Sequence, residues 1–426
     1  MRIPVITGIG VRAPGSTDRA GFWKMLIDGK SAFRTIDFFD PAPFRSRVAA
    51  QCDFDPTVEG LTPRQIRRMD RATQLAVAAG REAVTDSGLD FASIDPLRIG
   101  VCLGSATAAS TSLEREYLVL SDSGRQWEVE ETHLSPYMFD YLCPAALAAE
   151  VAWTVDAQGP VTLVSDGCTS GIDAISAAAD MIRSGRADVV VAGGAEAPIT
   201  PIMLASFDAI KATTPHNDRP EAASRPFDAD RAGFVLAEGA AIMIIEDLAA
   251  ARARGATIYA AIAGYATRLN AYHMTGLRAD GREMAEAIRA ALDDARMDPG
   301  VIDYINAHGS GTKQNDRHET AAYKRSLGER AYKVPISSIK SMVGHSLGAI
   351  GAIELAASAL TIHTGCIPPT ANLDTPDPDC DLDYVPHTAR ECVVDVALSV
   401  GSGFGGFQSA MALRSVKSGS NLRSAA

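Results

Sequence analysis

The stretch Pro160-Val161-Thr162-Leu163-Val164-Ser165-Asp166-Gly167-Cys168-Thr169-Ser170-Gly171-Ile172-Asp173-Ala174 decides the fold. Pro160 to Val164 reads as a short buried strand. Ile172 to Ile182, with Ala at 174, 177, 178 and 179, reads as a helix. The Gly-Cys turn between them lets the backbone bend sharply and come close to a ligand. A Cys at the N-terminus of such a helix feels the positive end of its dipole, which favours thiolate over thiol. A Cys is otherwise a small core residue. Glycine on both sides of Cys168 favours the nucleophile.

Working outward, strand-like and helix-like segments alternate along the chain, as in an α/β fold. Candidate buried strands are 99–103, 161–164, 188–192, 240–245, 302–306, 334–337 and 396–400. A weak repeat is visible in their order. A helix over 64–87 leads through Asp95-Pro96 to a strand ending in Gly104-Ser105, and a helix over 282–296 leads through Asp298-Pro299 to a strand ending in Ala307-His308-Gly309. Strand 161–164, the Gly-Cys turn and its Ala-rich helix are echoed by strand 334–337, Gly344-His345-Ser346-Leu347-Gly348 and a helix over 349–360. This order predicts two duplicated halves, 1–253 and 254–415, and a flexible tail over 416–426. Residues 105–150 read as an insertion that serves an interface or a pocket wall. If the halves pack about a pseudo-twofold axis, the Cys168 and His345 turns meet in one cleft.

The bulk properties remove several function classes. The chain has 426 residues, 46% of them hydrophobic, enough for a large core. A formal net charge of −12 argues against nucleic acid or an anionic membrane as the main partner. Seven scattered cysteines with no C-x-x-C pair fit a reducing cytoplasm. Met1 to Gly10 reads as a strand and a glycine turn, not a signal peptide. No apolar run is expected to reach the roughly 18 to 20 residues of a membrane span.

Two of the eight histidines, His308 and His345, sit in glycine-flanked turns just past strands. Each alone could be a satisfied turn residue. No His-x-x-x-His or His-Glu-x-x-His spacing is present, so no metal is expected. Lys340 follows a strand, and a buried Lys there needs a carboxylate. Asp316 and Glu319 are the candidates, unless they lie in a solvated first helical turn. Gly401-Ser402-Gly403-Phe404-Gly405-Gly406 is a glycine-rich turn without the Lys-Ser/Thr of a phosphate loop. Its amides could form an oxyanion hole with that of Cys168. A nucleophilic Cys with two His, a Lys and no metal motif fits acyl transfer through a thioester.

Together these motifs resemble the β-ketoacyl-acyl-carrier-protein synthases of the thiolase fold, over about residues 3 to 413. The chain looks most like the ketosynthase-α subunit of bacterial type II polyketide synthases. The stretches that carry the resemblance are Phe38 to Ser46, Ser112 to Tyr117, Asn306 to Thr320, Ser338 to Gly351, Pro376 to Pro386 and Val400 to Met411. The resemblance implies two halves with mixed five-stranded sheets layered between helices. It implies that Cys168 takes the growing chain from the phosphopantetheine arm of an acyl carrier protein, with no permanently bound cofactor. His308 and His345 would decarboxylate the malonyl carrier protein and stabilise the enolate. Lys340 would order the site, paired with Glu319, and Asp316 would support that network. The amides of Cys168 and Phe404 would hold the thioester oxygen, with Phe404 as a gate. Thr312 and Thr275 would line the path of the arm, and Arg64, Arg67 and Arg68 would dock the acidic carrier. The same basic cluster can be read as a solvated helix face. A chain-length-factor subunit would complete a heterodimer.

The chain departs from the family pattern at two points. Asp166 stands where Thr is usual, and Asn270 where Asp is expected; His273, close by, is then an entrance residue. A chain-length factor would lack Cys168, and a biosynthetic thiolase would need a second Cys in the turn over 401–404. The competing readings are a fatty-acid elongating synthase and a non-catalytic scaffold subunit.

Overall fold

The computed structural model describes residues 2–126 and 131–416, so the tail expected from residue 416 lies, but for Val416, outside the described residues. Ten strands form one mixed sheet. They are β1 (Pro4–Arg12), β2 (Ile99–Gly104), β3 (Val161–Val164), β4 (Val189–Glu196), β5 (Gly239–Asp247), β6 (Ala260–Leu269), β7 (Tyr304–Asn306), β8 (Ile336–Ser337), β9 (Val396–Ser402) and β10 (Phe407–Arg414). Their order across the sheet is β8-β7-β9-β10-β6-β1-β5-β4-β2-β3. The first five strands therefore lie as 3-2-4-5-1 and the last five repeat that order. Within each set the same three neighbours are parallel and the same pairs antiparallel. The two sets join through a short antiparallel pairing of Val5 and Ile6 with Ala261 and Ala260.

Five helices cover these strands: α1 (Arg71–Ser87), α2 (Ser170–Arg183), α3 (Arg282–Ala295), α4 (Lys313–Leu327) and α5 (Ile350–Thr364). Both sheet faces are buried, so the strands read as nearly continuous apolar runs. Alternate residues still separate. Val189, Val191, Ile242 and Ile244 pack under α1, whereas Val190, Ala192, Ala241 and Met243 face a central core with α2 and α5. In the second half Leu398 and Val400 pack with α3 and α4, and Ala397 faces the central core. The result is helices, strands, the α2–α5 pair, strands and helices in layers.

The structure corrects three readings of the sequence. The helix expected over 64–87 is two, Pro63–Arg68 and α1. Met69 is extended (φ −92°, ψ 138°), and the Asp70 side chain caps α1 by accepting from the Ala72 N–H at 2.9 Å. Strand β3 is not buried; it is the sheet edge, and Val161 is 42% exposed. Leu347–Thr364 is long and apolar enough to cross a membrane, but 89% of it is buried within the fold. Strands β6 and β10 gave no strong signal, because only Ile262 and Thr267 of β6, and no residue of β10, are β-branched.

The helices α2 and α5 meet at glycines. A Cβ on Gly171 would lie 2.6 Å from the Ala352 nitrogen, and one on Gly351 would lie 2.6 Å from Ile172 Cγ1. The two helices that follow the Cys168 and His345 turns can approach this closely only without side chains at those points. Gly171→Ala and Gly351→Ala should each destabilise the fold by about 1–3 kcal/mol through overpacking, seen as a lower Tm. An unchanged Tm in both variants would show that the helices can shift apart freely.

Candidate active site

Cys168 lies in a short 3-10 turn, Gly167–Thr169, that runs into α2. Gly167 has φ +60°, and a Cβ there would lie 3.1 Å from the Phe404 carbonyl. The turn thus packs backbone to backbone against the hairpin between β9 and β10. Thr169 donates to Asp173 Oδ2 at 2.7 Å, while Tyr265 from β6 and Ser409 from β10 donate to Asp173 Oδ1, each at 2.7 Å. A buried carboxylate of one half therefore holds strands of the other, and burial pushes Asp173 up to about 6.

The thiol is not the preformed thiolate expected from the helix dipole. Cys168 is 9% exposed, and burial pushes its pKa up to about 11, against the smaller opposing pulls of Lys340 and the Phe404 N–H. Desolvation outweighs the favourable end of the helix. Asp166 is half-buried; its N–H donates to Ser170 Oγ at 2.9 Å. The carboxylates that act most on the thiol are Glu196 and Glu354.

His308 sits just past β7 and His345 just past the helical turn Lys340–Val343. Their rings meet edge to face with centroids 5.2 Å apart, and both are buried. Lys340, 1% exposed, donates to the His308 carbonyl at 2.6 Å and faces His308 Nδ1 at 3.3 Å. An ammonium can only donate, so Nδ1 accepts and the proton of the neutral ring sits on Nε2. Burial, reinforced by the Lys340 charge, holds both imidazoles well below their ordinary pKa. His345 Nδ1 is buried without a partner. A stranded lone pair is tolerated better than a stranded N–H, which puts the proton of His345 on Nε2 as well.

The partner of Lys340 is a correction. It is Glu354, on α5 and fully buried, and not Glu319. Glu319 accepts from the amides of His308 (2.6 Å) and Gly309 (2.7 Å), from Asn315 (3.1 Å) and from the Tyr323 hydroxyl (2.6 Å). It clamps the loop that carries His308, and burial pushes it up to about 7. Asp316 forms an ion pair with buried Arg231 at 3.2 Å and accepts from the amides of Phe227 and Gly311. Asn315 bonds both carboxylates, which joins Asp316 to the His308 loop and not to Lys340. A second buried clamp, Glu196, accepts from the amides of Ala106, Thr107 and Gly348. Sequence reasoning passed over Glu196 and Glu354. A lone acid in the apolar run of α5 was the available signal for Glu354.

Cys168, His308, His345, Phe404, Thr312 and Thr275 line one cavity of about 1130 Å³. Lys211, Arg219 and Lys313 also line it. Lys340, Asp316 and Glu319 stand behind it, out of contact with its space. Arg64, Arg67 and Arg68 are not part of its wall. Arg64 and Arg67 are exposed, whereas Arg68 is committed to Glu150 at 2.6 Å and lies over the Trp153 ring. Asn270 donates to the Gly276 carbonyl at 3.0 Å, which an aspartate could not do. His273 Nδ1 accepts from the amides of Thr275 and Gly276 and shapes that loop. Among the described residues no cluster could hold a metal ion.

This arrangement provides a thiol, two Nε2–H donors and the hairpin amides around one space. It suits attack on a thioester and stabilisation of an enolate. Alkylation of Cys168 by iodoacetamide should keep rising with pH toward about 11, where an ordinary thiol of pKa 9.0 levels off earlier. Lys340→Met should move that midpoint higher still, because the charge it removes favours thiolate. A midpoint below 9 would mean that the dipole, and not burial, governs the thiol.

Comparison with known proteins agrees with this chemistry. Residues 3–251 match the β-ketoacyl synthase N-terminal domain and residues 259–374 the C-terminal domain. The chain is 67% identical to the granaticin polyketide β-ketoacyl synthase 1 of Streptomyces violaceoruber, over 96% of this chain and 97% of that one. It is 62% identical to the tetracenomycin polyketide synthase ketoacyl synthase alpha subunit of Streptomyces glaucescens, covering 96% of each. Identity to 3-oxoacyl-[acyl-carrier-protein] synthase 2 of a Synechocystis strain is lower, 39% over 96% of this chain and 97% of that one. A solved type II polyketide synthase acyl-carrier protein in complex with its ketosynthase matches with TM-score 0.91 at 38% identity, covering 97% of this chain and 100% of that one. The ishigamide ketosynthase/chain length factor matches with TM-score 0.89 at 34% identity, covering 97% and 99%. The chain belongs to the β-ketoacyl synthase family, with the thiolase-like fold of its condensing enzymes.

Proposed function

We propose that this chain is the ketosynthase-α subunit of a type II polyketide synthase, which extends an acyl chain by decarboxylative condensation with a malonyl carrier protein. The observation that carries the reading is the meeting of Cys168 with His308 and His345 in one cavity, where burial favours both imidazoles in the neutral form. Higher identity to polyketide synthases than to the fatty-acid type favours polyketide extension.

The steps follow from the geometry. The Cys168 sulfur attacks the carrier-bound thioester, and its proton leaves on the released pantetheine thiol. The amides of Cys168 and Phe404 receive the oxyanion. A malonyl thioester then enters, its oxygen against the Nε2–H groups of His308 and His345. The bond to the carboxylate breaks, carbon dioxide leaves, and the electron pair moves onto the enolate oxygen. The enolate carbon attacks the acyl-Cys168 carbonyl. Collapse of the tetrahedral adduct returns the thiolate, which takes up one proton. Lys340 touches neither substrate; it is a positioning residue that fixes the His308 tautomer and supplies positive field.

The phosphopantetheine arm comes with the carrier protein, and its phosphate finds Lys211, Arg219 and Lys313 along the cavity. Thr312 and Thr275 face its amides, and exposed Arg64 and Arg67 suit an acidic carrier. A chain-length-factor subunit completes a heterodimer at the edge strand β3. Helix 146–154 packs beside that strand. Trp153, on that helix, is 64% exposed and leaves apolar surface to be covered. The reading places the enzyme in the cytoplasm, where a nucleophilic thiol stays reduced.

Cys168→Ala should take no radiolabel from acyl carrier protein and make no condensation product, yet still release carbon dioxide from the malonyl carrier protein. His308→Ala and His345→Ala should do the reverse, loading Cys168 while decarboxylation falls about 100- to 1000-fold. Label on the Cys168→Ala protein would overturn the assignment of the nucleophile. Co-expression with a chain-length-factor homologue should give a one-to-one complex by mass. A fully active homodimer would favour fatty-acid elongation.

A further inference from the structure

Two buried polar atoms without partners belong to neighbouring side chains beside the active-site hairpin. His318, on α4, is 1% exposed, and Gln408, at the start of β10, is fully buried. His318 Nε2 and Gln408 Oε1 both lack a well-formed hydrogen bond, although the Gln408 side chain is near enough to the ring to act against the burial that keeps it neutral. The other nitrogen of the ring, Nδ1, lies 2.6 Å from the Arg278 carbonyl. The other end of the amide lies 3.0 Å from Ser402 Oγ.

The directions of these bonds follow from elementary chemistry. A carbonyl only accepts, so Nδ1 carries the proton and Nε2 of the neutral ring is a lone pair. Burial favours that neutral ring. With the amide oxygen toward the ring, two lone pairs confront one another. Amide oxygen and nitrogen have nearly the same shape, so the side chain fits equally well turned by a half rotation. Turned this way, both stranded atoms gain a partner. Ser402 donates to Gln408 Oε1, Gln408 Nε2 donates to His318 Nε2, and His318 Nδ1 donates to Arg278.

This chain of bonds links the two segments that cover the mouth of the cavity. Arg278 belongs to the loop over 270–281, whose Met274, Thr275, Gly276 and Leu277 line the cavity. Ser402 begins the hairpin that contributes Gly403, Phe404 and Gly406. At the outer end the segments touch directly. Gly405 donates to the Met274 carbonyl at 2.6 Å, and Asn270 to the Gly406 carbonyl at 2.9 Å. The inner end is held through His318. The residue after it, Glu319, clamps the His308 loop.

We propose that His318 and Gln408 are positioning residues: a one-directional relay, Ser402 to Gln408 to His318 to Arg278, seats the Phe404 hairpin so that its amide faces the acyl group on Cys168. The role at Phe404 rests on the ketosynthase reading; the relay itself does not. Nitrogen-15 spectra of histidine-labelled protein at neutral pH should show His318, identified by its loss in His318→Leu, protonated at Nδ1 and bare at Nε2. A proton on Nε2 would overturn the relay whatever the enzyme does. Gln408→Leu and Ser402→Ala should each slow acyl loading of Cys168 at least tenfold, through kcat, and leave malonyl decarboxylation within twofold of the parent. Equal loss of both half-reactions, or loading at the parental rate in the well-folded Ser402→Ala protein, would refute the positioning role. A parent protein with neither half-reaction, but with the expected His318 tautomer, would instead refute the ketosynthase reading alone.

Discussion

The site depends on one buried ammonium. Removing a charge from water costs several kcal/mol unless the interior meets it fully. Lys340 is met by Glu354 from α5 and by two atoms of His308. These contacts set the chemistry as well as the position. The ammonium forces a lone pair onto His308 Nδ1, and therefore a donor toward substrate. Burial, reinforced by its field, keeps both imidazoles neutral, and the same field favours the thiolate of Cys168. A carboxylate pair alone would do the opposite to all three groups. The pairing with Glu354, and not with Glu319, leaves Glu319 free to hold the backbone of the histidine loop.

That clamp has a counterpart in the other half. Glu196 accepts from consecutive amides just past β2, as Glu319 does just past β7. The strands β2 and β7 occupy the same place in the repeated strand order. One fold thus uses the same device twice, a buried acid stitching the loop beyond a central strand. Only one of the two loops carries a histidine. The duplicated scaffold supplies rigidity to both, and the chemistry is divided between them.

Much of this was legible in the chain. The Gly-Cys turn, the glycine-flanked histidines and the hairpin over 401–406 announced themselves through residue types that few other roles require. The repeat was visible because punctuation by Gly and Asp-Pro survives where side-chain identity does not. Strands β6 and β10 were silent, since small residues pack between layers without the β-branched pattern. The partner of Lys340 was misread because nearness in sequence to the histidine loop suggested Glu319, whereas tertiary packing brought Glu354 from a helix that looks wholly apolar. The thiol was misread for a related reason. A helix dipole can be inferred from local sequence, but the desolvation that outweighs it comes from elements far along the chain.

The exposed edge of β3 has a consequence for how such a chain is made. An uncovered edge strand offers a row of unpaired amides and carbonyls to any extended segment. Natural proteins blunt such edges with charge, proline or a bulge. The exposed part of β3 carries Val161 and Thr162 and no charge, with Pro160 only at its start. Whatever covers this strip protects the chain against aggregation as well as completing it. On the proposed heterodimer, the supply of the partner subunit then sets how much of this chain stays dispersed.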